Sequence, residues 1–138
     1  MSVGGLIARA EEELAAARLL AGGGFPAQAV SRAYSGAFYA AEAVLLELGE
    51  TRSQHSAVVA AFVRLVVRPG GIDPDAGRLL RSLFDRRAQA DYSEDAVPPE
   101  EAAAAIEDAE TVIRAVVSWL GAKGSRGGQR PHGSSDGS

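Results

Sequence analysis

The sequence predicts an all-α protein: an antiparallel up-and-down bundle of four to five helices with a disordered C-terminal tail. Apolar residues recur every three or four positions in five segments, which is the spacing of a helix that buries one face. In no segment do apolar and polar residues alternate as they do in a half-buried strand. Short breaks separate the segments, as expected for antiparallel neighbours. We predict one domain over residues 1–121 and a tail over 122–138.

The first two segments predict a helical hairpin. Residues 3–22 place Leu6, Ala10, Leu14 and Ala17 on one stripe, and three glycines at 22–24 end that helix. Residues 26–49 follow with a broad apolar stripe and a second face that mixes charged, aromatic and aliphatic groups. Because a surface helix would carry mainly Lys and Glu on that second face, we expect this helix to be covered on more than one side, either as the central helix of the bundle or as a helix that forms a dimer.

Three further helices complete the predicted bundle. The third starts within residues 51–56, with Ser53 as its N-cap, and the break at 68–74 ends it. Asp75 opens the fourth helix, and residues 90–99 read as a loop. The fifth begins at Pro99, followed by two glutamates that suit a first turn, and runs to about residue 120. The Gly/Ser-rich remainder has no buried-face pattern, so we expect disorder there.

Composition and charge exclude several classes of protein. With no cysteine there is neither a disulfide framework nor a thiolate metal site, and no carboxylate–histidine cluster has metal-ligand spacing, so we expect no metal and no cofactor. Glutamates at 11–13 and the lack of an 18-residue apolar run predict a cytoplasmic protein without a membrane segment. Neither a phosphate-binding glycine motif nor a serine nucleophile elbow is present.

Net charge is −4, but its distribution is uneven. The stretch from Arg52 to Arg87 contains seven arginines and three aspartates, which gives this block a local charge of about +4. The remainder of residues 1–121 carries about −10. A coat that binds nucleic acid over the whole surface is therefore excluded, whereas a basic patch on the third and fourth helices is not.

Charged residues continue the apolar stripe of the fourth helix. Arg87 and Asp91 follow Leu83 and Phe84 at helical spacing, with Tyr92 next in the chain. Inward-facing charges need partners or a function, because an unpaired buried ion is costly. Two interpretations remain open: an ion pair that closes the end of the bundle, or a site that faces a phosphate.

Other candidates are less sharply defined. His55 is the only histidine of the predicted bundle and lies at a helix start, where it is either a core-edge group or an acid–base catalyst. Arg32 and Tyr39, seven residues apart on the second face of the central helix, line a groove or simply pack. We take Arg32, Tyr34, Tyr39 and Arg86 as substrate-binding candidates.

Four stretches together resemble the HEPN domain family: SRAYSGAFYAAEAVLLELG, RSQHSAVVAAFVRLVV, GRLLRSLFDRRAQADY and AETVIRAVVSWL. More narrowly, the chain resembles the compact stand-alone prokaryotic branch of this family, over roughly residues 6 to 120. Such a resemblance implies a helical bundle, commonly a homodimer, that binds nucleotides or RNA. It also implies a partnership with minimal nucleotidyltransferases in toxin–antitoxin-like pairs.

Many members of that family are metal-independent RNases that use an arginine and a histidine with four to six residues between them. Arg87 stands at the matching arginine, and Tyr92 stands where the shortest spacing puts the histidine. A phenol is a poor proton acceptor at neutral pH. The resemblance thus gives Arg87, Asp91, Tyr92 and His55 as catalytic candidates. The alternative is a non-catalytic dimerisation or interaction module.

Overall fold

Five α-helices account for nearly all of the computed structural model, which describes residues 2–50, 52, 54–67 and 71–128. Their bounds are α1 Val3–Gly22, α2 Pro26–Glu47, α3 His55–Phe62, α4 Pro74–Tyr92 and α5 Pro99–Gly128. A π-helical turn, Val63–Val67, follows α3 directly. No strand occurs among these residues, so the predicted all-α bundle is confirmed.

Helix α2 is the centre of the bundle, because it contacts each of the other four helices. Its tightest neighbour is α1: a Cβ placed on Gly36 would lie 3.1 Å from the carbonyl oxygen of Ala10. Tyr34 and Val44 are among its fully buried side chains, and Phe38 is 7% exposed. These side chains belong to the apolar stripe. On the second face Ser35 and Tyr39 are half-buried and Arg32 is exposed, so that face is covered only in part, less than its mixed composition predicts.

The remaining helices enclose α2. Helix α5 packs on α1, α2 and α4, while the short α3 lies against α2 and α4. Ile72, from the connection before α4, fills a place in the core at 4% exposure. Asp73 is the N-cap of helix α4, and its carboxylate accepts a hydrogen bond from the backbone N–H of Asp75 at 3.0 Å. This side chain satisfies one of the free N–H groups of the first turn.

Two predicted boundaries differ from the structure. Helix α4 continues to Tyr92 instead of ending before residue 90, and the N–H of Ser93 still bonds the carbonyl of Gln89. An Arg87–Asp91 ion pair at i,i+4 spacing stabilises that last turn. Helix α5 extends to Gly128, past the predicted end near residue 120, because no proline interrupts it there.

Helix α3 has Gln54 at its N-cap position, without a capping side-chain bond. Ser53, the predicted cap, lies outside the described residues, as do residues 129–138 of the predicted tail. None of the helices that are described is long and apolar enough to cross a membrane.

Candidate functional site

An aromatic cluster joins α2 to the start of α3. The Tyr34 hydroxyl lies 3.1 Å from Nδ1 of His55, so these two groups share a hydrogen bond. The His55 ring stacks on Phe38, with 4.0 Å between centroids and 25° between planes. Tyr34 is 1% exposed, whereas His55 is exposed. A buried phenol and a buried phenyl ring therefore fix an imidazole at the protein surface.

Helix α4 adds a cation to this cluster. The guanidinium carbon of Arg87 lies 5.5 Å from the centroid of the Tyr34 ring, within the range of a cation–π contact. Nε of Arg87 is 3.2 Å from Oδ2 of Asp91, and these two side chains are 37% and 40% exposed. Phe84, one turn earlier on α4, packs edge-on against Tyr34 at 5.9 Å. Arg87 is thus held in place and still open to solvent.

Electrostatics favour the neutral forms of both His55 and Tyr34. Loss of hydration lowers the pKa of His55, and the positive charge of Arg87 lowers it further. Burial raises the pKa of the Tyr34 hydroxyl, an effect that Arg87 opposes and Glu42 reinforces. Near neutral pH the site therefore presents a neutral imidazole beside a permanent cation.

This arrangement suits proton transfer next to an anion. If Nδ1–H of His55 donates to the Tyr34 oxygen, Nε2 is left as a proton acceptor. The guanidinium of Arg87 has N–H groups beyond the one that faces Asp91, and guanidinium geometry matches phosphate oxygens. The Tyr34 hydroxyl can either accept from Nδ1 or donate to it, so this contact orients the imidazole, and the direction of the hydrogen bond sets the tautomer.

A polar groove begins beside this cluster, between the N-terminal turns of α2 and the last turn of α4. Its volume is about 420 Å³. The lining residues are Ala27, Gln28, Ser31, Arg32, Ser35, Ala90 and Asp91. Asp91 belongs to both features, because it also binds Arg87. The cluster and the groove are therefore neighbouring parts of one surface.

Three of the predicted site residues take no part in the contacts between His55, Tyr34 and Arg87, although Tyr39 packs edge-on against Phe38. Arg32 donates a hydrogen bond to Glu13 at 3.0 Å and lines the groove. Arg9 covers the ring of Tyr39 at 5.1 Å, so Tyr39 faces α1. Arg86, whose side chain is 19% exposed, binds Asp108 on α5 at 2.6 Å.

The fourth outlying candidate is Tyr92, which ends α4 with 87% of its surface exposed. Arg87, Asp91 and His55 are thus brought together with Tyr34, while Tyr92 stands in solvent next to Asp91. Among the described residues, no group of three or more His, Asp or Glu side chains is placed to hold a metal ion.

Several residues of this surface were not singled out from the sequence. Ser31, Ser35 and Gln28 look like ordinary polar positions of an amphipathic helix. Glu13 had a readable signal, because it falls on the apolar stripe of α1 between Ala10 and Ala17, and it is 8% exposed. Such an inward carboxylate requires a cationic partner, which Arg32 provides.

Comparisons with known proteins all indicate the same family. A model of the HEPN domain matches residues 3–120. Putative toxin MJ0605 of Methanocaldococcus jannaschii is 35% identical over 108 residues, which are 78% of this chain and 81% of that protein. The UPF0332 protein of Thermotoga maritima is 38% identical over 86 residues, 62% of this chain and 65% of that protein. With its helical bundle and a domain match over most of its length, the chain belongs to the HEPN domain family.

Proposed function

We propose that this HEPN-domain protein binds RNA and cleaves it without a metal ion, as the toxin-like component of a pair with a minimal nucleotidyltransferase. The observation that carries the proposal is that the exposed His55 and the half-exposed Arg87 both contact the buried Tyr34. The similarity to Putative toxin MJ0605 supports the toxin-like role.

In the proposed reaction, Arg87 holds the scissile phosphate and His55 acts as the base. Nε2 of His55 takes the proton of the 2′-hydroxyl, whose oxygen attacks phosphorus while the bond to the 5′-oxygen breaks. Water or the Tyr92 hydroxyl protonates the departing 5′-oxygen. The products are a 2′,3′-cyclic phosphate and a 5′-hydroxyl, so atoms and charge balance. The guanidinium stabilises charge that builds up on the phosphate oxygens.

Incubation of the purified protein with RNA in EDTA tests this proposal. Cleavage should persist in EDTA, and Arg87→Ala or His55→Ala should lower its rate by about 10² to 10⁴-fold. Arg114→Ala is a matched control, because Arg114 lies on α5 with 76% of its side chain exposed. Variants prepared identically also exclude a contaminating nuclease, since contamination would not follow the substitution.

A non-catalytic interaction module is the second candidate. The Arg87–Asp91 ion pair favours it, because a paired guanidinium can serve only to hold the last turn of α4. The position of Tyr92, in place of the family's histidine, favours it as well. Absence of cleavage by the wild type, together with a large fall in melting temperature for Arg87→Ala, would select this alternative.

The partnership is proposed from the family and from the charge pattern. Arg64, Arg78 and Arg81 are exposed residues of the basic block, which can receive RNA or an acidic partner surface. Arg68, the fourth arginine of this proposed patch, lies outside the described residues. Co-purification with an adjacent nucleotidyltransferase should be lost when these four arginines are reversed to Glu. Unchanged binding by the reversed protein would remove the patch as the docking surface.

The same partner offers a route to modification. The exposed hydroxyl of Tyr92 and that of the neighbouring Ser93 are accessible acceptors for nucleotide transfer. Incubation with the nucleotidyltransferase and a labelled nucleotide should label the wild type. Loss of label in Tyr92→Phe identifies the tyrosine, and loss only in Ser93→Ala identifies the serine.

A further inference from the structure

The polar groove beside Arg87 has no role in the reaction described above. We propose that it binds the nucleotide adjacent to the scissile phosphate, which makes the substrate single-stranded RNA of at least two nucleotides. This inference rests on the proposed function, because it takes the phosphate at Arg87 as its reference point. Three features of the groove carry it: its position, its chemistry and its anchored cation.

The first feature is the position of the groove next to Arg87. Asp91 lines the groove and is also bound to Nε of Arg87 at 3.2 Å, so the two sites meet at one carboxylate. A volume of about 420 Å³ lies within the range of small-ligand pockets. A chain that leaves Arg87 in this direction enters the groove directly.

The groove's lining is suited to a nucleotide. Ser31 and Ser35 stand one helical turn apart on the same side of α2, and Gln28 precedes them by another turn. Hydroxyl and amide groups both donate and accept hydrogen bonds, as the edges of bases and the ribose hydroxyls require. Base edges are accessible in unpaired RNA, whereas a duplex hides them. This is why we assign a single strand.

Arg32 supplies a fixed cation at the groove. Its Nη1 binds both carboxylate oxygens of Glu13, at 3.0 and 3.4 Å, which leaves the other guanidinium N–H groups for a ligand. Glu13 also lies 3.7 Å from Arg9, so the three side chains together retain one positive charge. Because Glu13 is 8% exposed, Arg32 is anchored from inside the bundle while 53% of its own side chain stays accessible. It is placed to contact the phosphate of the second nucleotide.

Two probes separate the groove from the Arg87 site: uridine 3′-monophosphate, and the dinucleotide UpUp with a 2′-deoxy first sugar that prevents cleavage. Binding is measured by calorimetry on the full-length protein. Ser31→Ala combined with Ser35→Ala should weaken the dinucleotide about fivefold to tenfold and leave the mononucleotide unchanged. Arg32→Gln should do the same. Ser118→Ala and Arg114→Gln, on α5, are the matched controls.

The outcomes are distinct. If the dinucleotide binds the serine double variant and Arg32→Gln as tightly as it binds the wild type, the groove assignment is wrong although the proposed function stands. If neither probe binds the wild type, or if Arg87→Ala changes neither affinity, the proposed function fails and the groove assignment falls with it. Equal losses for both probes would show that the groove residues act on the Arg87 site itself, which also contradicts the assignment. Thermal melts confirm that each variant is folded.

Discussion

At the scale of single residues, the imidazole of His55 is bounded by three different groups: the Phe38 ring, the Tyr34 hydroxyl and the charge of Arg87. We expect Arg87→Gln to raise the pKa of His55, because one of the two causes that lower it is removed. NMR titration of the imidazole Cε1–H measures this shift. The chain has two histidines, so His55→Gln assigns the signal. An unchanged pKa in Arg87→Gln would contradict the electrostatic contact.

The lowered pKa of His55 also affects stability. Because the folded state holds the pKa below that of the unfolded chain, the unfolded state binds the proton more readily over the interval between them. The contribution of His55 to stability is complete above the unfolded value of about 6.5 and is lost as the pH falls through this interval. Urea unfolding of wild type and His55→Gln at several pH values should show a shallower acid dependence for the variant. Parallel curves would exclude this role for His55.

Phe38 both fills the core and supports His55. We expect Phe38→Ala to reduce the free energy of unfolding by about 3–5 kcal/mol, because it leaves a cavity beside Tyr34. Leu19→Ala is the control: Leu19 is 78% exposed, and its truncation should change stability by no more than about 0.5 kcal/mol. Chemical denaturation measures both. Equal effects of the two substitutions would disprove the packing role.

At the scale of elements, Gly36 sets the spacing between α1 and α2. Alanine would favour the helix by about 1 kcal/mol, but its Cβ would lie 3.1 Å from the Ala10 carbonyl oxygen. Overpacking costs about 1–3 kcal/mol, so we expect Gly36→Ala to be destabilising on balance. Gly121→Ala, in α5 with nothing within 4 Å, should instead stabilise by up to about 1 kcal/mol. Stabilisation by both would show that α1 shifts freely.

Helix existence was predictable because the helical spacing of buried residues is strong in all five segments. The ends of the helices were harder to predict. The turn that extends α4 to Tyr92 depends on an ion pair and on backbone hydrogen bonds, whereas the polar composition of this stretch is typical of a loop. The π-helical turn Val63–Val67 leaves the apolar pattern nearly unchanged, so the sequence had no signal for it. Local helix propensity cannot distinguish an α-helical turn from a π-helical turn or a loop where tertiary contacts determine the conformation.

Within the candidate site, the Arg87–Asp91 pair was predictable because it is local, four residues apart on one helix. The contact between Tyr34 and His55 spans 21 positions and depends on how α3 docks on α2, which periodicity does not determine. The groove was equally inaccessible to prediction, since it forms only where the beginning of α2 meets the end of α4. Tertiary sites arise from such pairings of distant segments.

At the scale of the whole molecule, we predict a homodimer, as the family resemblance implies. Analytical ultracentrifugation at micromolar concentration should give twice the chain mass of 14.2 kDa. The sedimentation coefficient should fall on dilution if the two copies dissociate reversibly. A single species of one chain mass at every concentration would rule out the dimer.

The helices that carry the catalytic candidates differ in how firmly they are held in the bundle. Tyr34 belongs to the central helix α2, but His55 is the first residue of α3, an eight-residue helix that is extended only by a π-helical turn and has no capping side-chain bond. A helix this short relies almost wholly on tertiary packing, and such elements open at a smaller free energy than the global transition. We therefore expect heat to separate His55 from Tyr34 before α1, α2 and α5 unfold. The loss of the proposed activity would then be reversible, since cooling needs to re-dock only one short helix on an intact scaffold.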